Sequence, residues 1–144
     1  MTGNRSVKKS AGYSKRSLAD KLGFKAGLRV SFANAPRHYI TWLGLSPGEV
    51  EIVGDRSRDL DVLHLFVSNR KRLVAAFPKA KRRIKSNGTL WVSWPKLTSP
   101  LAGDVSESFV REIGLANGLV DVKVAAIDED WSGLKFVYRL KDRA

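Results

Sequence analysis

The feature that most constrains this chain is the run from Leu60 to Val67, LDVLHLFV. It is almost continuously apolar, which is the signature of a strand covered on both faces. Residues 69–84 follow with Leu73, Phe77, Ala80 and Ile84 on one helical stripe. Pro78 falls inside that stripe, so a kink or two short helices are expected. Ser86, Asn87 and Gly88 read as a turn, and Thr89 to Trp94, TLWVSW, as a second buried strand ended by Pro95. Two buried strands joined through a helix make a parallel pair with a right-handed crossover.

The flanking segments extend this unit. Residues 17–22 read as a short helix capped by Ser17 and stopped by Gly23. Residues 28–33, LRVSFA, alternate as a strand does, and 37–43 can form a helix. Residues 50–53 are a weak strand. Residues 104–117 read as a helix, with Asp104 and Glu107 at capping-box spacing and Gly118 as its stop. Two final strands, 120–127 and 134–140, are joined by a short hairpin. The order is β-α-(β)-β-α-β-α-β-β. It predicts an α/β fold: a compact, Rossmann-like, mostly parallel sheet closing with an antiparallel hairpin strand. That ending resembles the class I methyltransferase sheet, whose last strand inserts antiparallel, here with a compressed first half.

A chain of 144 residues suits one domain, expected over 17–141. There is no cysteine, which excludes disulfides, thiolate metal sites and a thiol nucleophile, and His38 and His64 alone give little for a metal, so none is expected. No apolar run is long enough to span a bilayer and no apolar stretch follows the basic start, so the expectation is a cytoplasmic protein without a membrane partner.

Charge is the unusual total: 26 Lys and Arg against 14 Asp and Glu, a net +12. It concentrates in two places. Residues 1–16 carry Arg5, Lys8, Lys9, Lys15 and Arg16 among glycines and serines, and read as a disordered basic arm. The second cluster spans 70–85 and includes Lys79, Arg82 and Arg83. The remainder is close to neutral. Such clusters are usually solvated surface; the sharper alternative is a phosphate-backbone footprint through Lys8, Lys9, Lys79, Arg82 and Arg83. Aromatic residues are not interleaved with either cluster, against single-strand stacking.

In an open parallel sheet, ligands bind beyond the carboxyl ends of the strands. The pattern delivers Asn34 there from the first strand, Ser68 from the central one, Trp94 and Lys96 from the next, and Asp130 and Trp131 from the hairpin. Each has a plainer role as packing, turn or surface; co-location raises the interest. A nucleotide or S-adenosylmethionine site ordinarily wants glycines after the first strand, where the backbone approaches the ligand. Residues 33–37, ANAPR, contain none, and Pro36 lacks an N–H. Neither Glu51 nor Asp55 is a convincing ribose ligand. The expectation is therefore no cofactor, with S-adenosylmethionine possible but disfavoured. Gly-x-Ser-x-Gly, Walker and paired-carboxylate patterns are all missing, so no catalytic residue is assigned.

Several segments are familiar together: residues 18–23 (LADKLG), 25–30 (KAGLRV), 34–36 (NAP), 61–67 (DVLHLFV), 88–96 (GTLWVSWPK), 118–123 (GLVDVK) and 130–133 (DWSG). Over about residues 11–140 they resemble the bacterial family named domain of unknown function 3052. The resemblance implies a methyltransferase-like sheet and supplies no catalytic residue. Three functions follow as expectations. The first is a non-catalytic or cryptic domain binding a small anionic ligand or a partner at Asn34, Ser68, Trp94, Lys96, Asp130 and Trp131. The alternatives are a divergent S-adenosylmethionine-dependent methyltransferase and a nucleic-acid-associated protein.

Overall fold

A computed structural model of the chain describes residues 17–45 and 48–143. The basic arm expected over 1–16, with Lys8 and Lys9, lies outside them. Helix α1 (Leu18–Leu22) begins where the Ser17 hydroxyl accepts from the Asp20 N–H and ends at Gly23, left-handed at φ 83°. Strand β1 (Arg29–Ala33) leads to α2 (Tyr39–Leu43) and a two-residue β2 (Glu51–Ile52). Then come β3 (Leu60–Phe66), α3 (Arg70–Arg83), β4 (Ile84–Pro95), α4 (Glu107–Ala116), β5 (Leu119–Ala126) and β6 (Trp131–Tyr138).

The strands form one sheet in the order β2-β1-β3-β4-β6-β5. β1, β2, β3 and β4 pair in parallel, while β6 lies antiparallel between β4 and β5. This is the expected α/β class with its antiparallel closing strand. The sheet is covered on both faces. On one, α1 and α2 bury Leu18, Leu22, Tyr39 and Leu43 with Val30, Phe66 and Trp91. On the other, α3 and α4 bury Leu73, Phe77 and Val110 with Leu63, Leu65, Leu90, Val92 and Phe136. The Phe77 and Phe136 rings meet edge to face at 5.4 Å. Gly114 of α4 lies directly on the Phe136 ring, so no side chain fits there.

Three local expectations are corrected. Pro78 does not split α3, which runs unbroken for 14 residues. The expected turn at 86–88 lies inside β4, where the register jumps from Leu60–Ile84 to Val62–Thr89. A bulge absorbs the extra residues, and Gly88 fits because a Cβ there would come within 2.8 Å of the Leu60 carbonyl oxygen. The capping residue of α4 is Ser106, whose hydroxyl accepts from the Phe109 N–H, and not Asp104. Asp104 instead accepts from the Arg70 N–H at the start of α3 (2.8 Å). Among the described residues no helix is long and apolar enough to cross a membrane.

Candidate functional site at the carboxyl edge of the sheet

The strand order reverses between β1 and β3: β1 is followed outward by β2, while β3 is followed in the other direction by β4. The crossover helices lie on opposite faces, α2 on one and α3 on the other. Such a reversal opens a crevice beyond the carboxyl ends of the two strands, the usual ligand position in this architecture. Asn34 and Ala35 leave β1 on one side of it, and Ser68 and Asn69 leave β3 on the other. Asn34 is exposed and left-handed, at φ 59°. Asparagine is among the few residues other than glycine that take this conformation readily. The Ala35 N–H has no backbone partner among the described residues. Ser68 is exposed, whereas the Asn69 side chain accepts from the Arg72 N–H and caps α3.

Trp131, half-buried at the start of β6, stands edge-on to Phe66 at 5.1 Å and forms an apolar wall near this edge. The other rim residues are engaged within the protein. Trp94 is only 4% exposed and belongs to the core beneath α3 and α4. The Lys96 ammonium donates to the Asp128 carbonyl at 2.9 Å, and the Lys96 N–H donates to the Asp130 carbonyl at 2.7 Å. The Asp130 carboxylate accepts from the Ser99 hydroxyl at 2.8 Å. The Asp128 carboxylate accepts from the Asp130 and Trp131 N–H groups, both at 2.8 Å. Burial nevertheless raises the Asp128 carboxyl above its ordinary pKa. These bonds tie the end of β4 to the β5–β6 hairpin. The structure therefore brings Asn34, Ser68 and Trp131 to the open edge, and places Trp94, Lys96 and Asp130 in packing and a hydrogen-bonded corner.

A second polar constellation lies under α2. His64 is fully buried, with Nδ1 2.8 Å from the Tyr39 hydroxyl and Nε2 2.6 Å from the Ser93 hydroxyl. Burial pushes the His64 pKa down to about 3 and the Tyr39 phenol upward, so both are neutral near pH 7. A neutral imidazole carries one donor and one acceptor, so both hydroxyls are satisfied. Neither Ser93 nor His64 reaches solvent. The resemblance to a nucleophile–base pair is therefore one of spacing only, and the trio is a buried polar brace.

Lys79, Arg82 and Arg83 stand at the far end of α3. There they meet Asp55, Arg56 and Arg58 around a groove of about 380 Å³. The loop arginines were invisible as part of a cluster, because more than twenty positions separate them from Lys79.

No family model matches the chain, so the resemblance to domain of unknown function 3052 rests on its quoted segments alone. No curated protein matches it either. Solved structures do. The Methanococcus jannaschii fibrillarin pre-rRNA processing protein aligns over 91% of this chain and 76% of its own, at 16% identity and a TM-score of 0.53. The Synechocystis magnesium protoporphyrin IX methyltransferase with bound SAH aligns over 85% and 78%, at 11% identity and 0.57. A TehB-like SAM-dependent methyltransferase from Corynebacterium glutamicum aligns over 89% and 90%, at 14% identity and 0.54. These likenesses establish a methyltransferase-like fold.

They also correct the expectation of no cofactor. Structures sharing this sheet include one methyltransferase solved with SAM and with SAH, so the sheet is one that does hold such a cofactor in another protein. One physical reason for disfavouring it weakens as well. Part of what a glycine would bring is left-handed backbone, and Asn34 supplies that conformation at the end of β1, although Pro36 still offers no N–H. The residues present at the turn thus fit an approach of the backbone to a ligand.

Proposed function

We propose that this chain is a divergent S-adenosylmethionine-dependent methyltransferase. The observation that carries the reading is the reversal of strand order between β1 and β3, with left-handed Asn34 on one side and exposed Ser68 on the other. The fold shared with methyltransferases supports it, and supports it better than a domain without catalysis.

In this reading Asn34, Ala35 and Ser68 would hold the cofactor, with Trp131 as an apolar wall that limits water. When bound, S-adenosylmethionine supplies a methyl group on a sulfonium centre, ready for transfer to a nucleophile. The Asn34 turn presents the Ala35 N–H, and the Asn34 amide and Ser68 hydroxyl add polar contacts of either sense. Methyl transfer from a sulfonium asks chiefly for alignment, so positioning is the main service such a site performs. The Lys96–Asp128–Asp130 corner fixes the hairpin that carries Trp131.

Calorimetry with S-adenosylhomocysteine tests the proposal. Micromolar binding is expected. Asn34→Gly should bind within about threefold of the parent, because it keeps the left-handed turn. Asn34→Val should bind about tenfold more weakly, since a β-branched residue resists that conformation by about 1–2 kcal/mol. Absence of heat at millimolar ligand, with the parent protein folded by circular dichroism, overturns the reading.

A further inference from the structure

The groove at the end of α3 lies at the edge of the sheet opposite the proposed cofactor crevice. Helix α3 starts beyond the carboxyl end of β3 and descends to Ile84, which pairs with Leu60 at the amino end of β3. Fourteen helical residues span about 21 Å. The groove is lined by Asp55, Arg56 and Arg58 from the β2–β3 loop and by Lys79, Arg82 and Arg83 from α3.

Arg83 builds it. Its guanidinium donates from Nε to the Ser57 carbonyl at 2.9 Å and from Nη2 to the Gly54 carbonyl at 3.1 Å. Burial lowers its pKa, Asp55 opposes that shift and Arg58 adds to it. These bonds clamp the loop against the helix. Arg29 adds a second tie by donating to the Arg58 carbonyl at 3.0 Å. The loop backbone is thereby held so that Arg56 and Arg58 face the same groove as Lys79 and Arg82.

Cations in the last turn of a helix complement its dipole, which accounts for Arg82 and Arg83. It does not account for Arg56 and Arg58, which the loop brings to the same place. Arg56, Arg58, Lys79 and Arg82 are exposed, and among the described residues none enters an ion pair. Four exposed cations facing one carboxylate repel one another, and the arrangement is relieved by an anion. Besides Arg83, two of the other five lining side chains are arginines, Arg56 and Arg58, and Arg82 is a third, whose guanidinium fork matches phosphate oxygens in pairs. No aromatic side chain lines the groove, so bases would find no stacking partner.

We propose that this groove binds the phosphodiester backbone of duplex nucleic acid without reading its sequence. Arg56, Arg58, Lys79 and Arg82 contact phosphates, and Arg83 is a positioning residue. The site is independent of cofactor binding at the opposite edge.

Fluorescence anisotropy of the full chain with labelled duplexes of RNA and of DNA tests it. Four phosphate contacts predict a slope of log affinity against log salt near −3.6, or roughly a 100-fold loss from about 50 to about 200 mM salt. The quadruple variant Arg56→Gln, Arg58→Gln, Lys79→Gln, Arg82→Gln should bind at least about tenfold more weakly and flatten that slope by about 3.6. A charge-matched control, Lys25→Gln, Lys71→Gln, Lys123→Gln, Lys141→Gln, should stay within about threefold. Equal losses in the two variants would show net charge alone at work and overturn the proposal. So would undetectable duplex binding at low salt. Equal binding to phosphatidylglycerol vesicles would overturn it in favour of a lipid surface. Preference between the RNA and DNA arms identifies the nucleic acid.

Discussion

The two faces of the sheet are held by different means. Under α3 and α4 the contact is apolar throughout: Phe77, Leu73 and Val110 meet Leu63, Leu65, Leu90, Val92 and Phe136. Under α1 and α2 the helices have five residues each, and the face admits polar groups at its centre. Tyr39 and Ser93 each bond to His64, and the Trp91 indole donates to the Leu22 carbonyl at 2.9 Å. The first face is held by shape. The second is held by hydrogen bonds that bind short helices in one orientation, and it is therefore the face whose stability responds to protons.

The sharpest break between the faces is Phe77→Ala. The ring is fully buried and edge-on to Phe136, so its removal should cost about 3–5 kcal/mol in chemical denaturation. A loss under about 1 kcal/mol would mean that the apolar face repacks freely, and the contrast would fall.

The next effect belongs to the polar face. His64 is neutral when folded, with a pKa near 3, but binds a proton near pH 6.5 when unfolded. Below 6.5 the unfolded state therefore takes up more protons, and stability falls with pH down to about 3. The loss at pH 5 should be about 2 kcal/mol relative to neutral pH, at about 1.4 kcal/mol per unit along the steep part. His64→Gln should remove this component from the pH–stability curve even if it lowers the curve as a whole. A parent curve with the same slope as the variant would show that His64 does not titrate between the two states.

The smallest effect refines the brace itself. Ser93→Ala leaves His64 Nε2 buried without its 2.6 Å partner, at a cost of about 1–2 kcal/mol. The double variant Ser93→Ala, Tyr39→Phe should cost less than the sum of the singles if the three groups act as one network. Strict additivity would reduce the brace to two separate bonds.

Parts of this arrangement were legible without coordinates. The buried strands β3 and β4 showed as apolar runs, and α1 showed both its cap and its stop, because those signals are local. Trp94 was read at the ligand-facing rim, whereas it packs into the core beneath α3 and α4. Asn34 and Ser68 were placed at the crevice by strand order alone. What escaped depends on partners far along the chain. Asp104 accepts from the Arg70 N–H at the start of α3, 34 positions away, rather than capping α4. Residues 86–88 join a strand because Leu60 accepts their close approach. The aptitude of Asn34 for a glycine-like turn was a question of φ that composition does not answer.

The sequence by itself determined the alternation of buried strands and helices, since periodicity and apolar runs encode which surfaces must leave water. It also determined that a large positive charge must go somewhere. Only the tertiary structure decided where charge and chemistry meet. Arg83 draws the 54–58 loop onto α3, and the strand order reverses between β1 and β3. Both are products of long-range pairing, whose geometry is set by the packed sheet and not by any local stretch of residues.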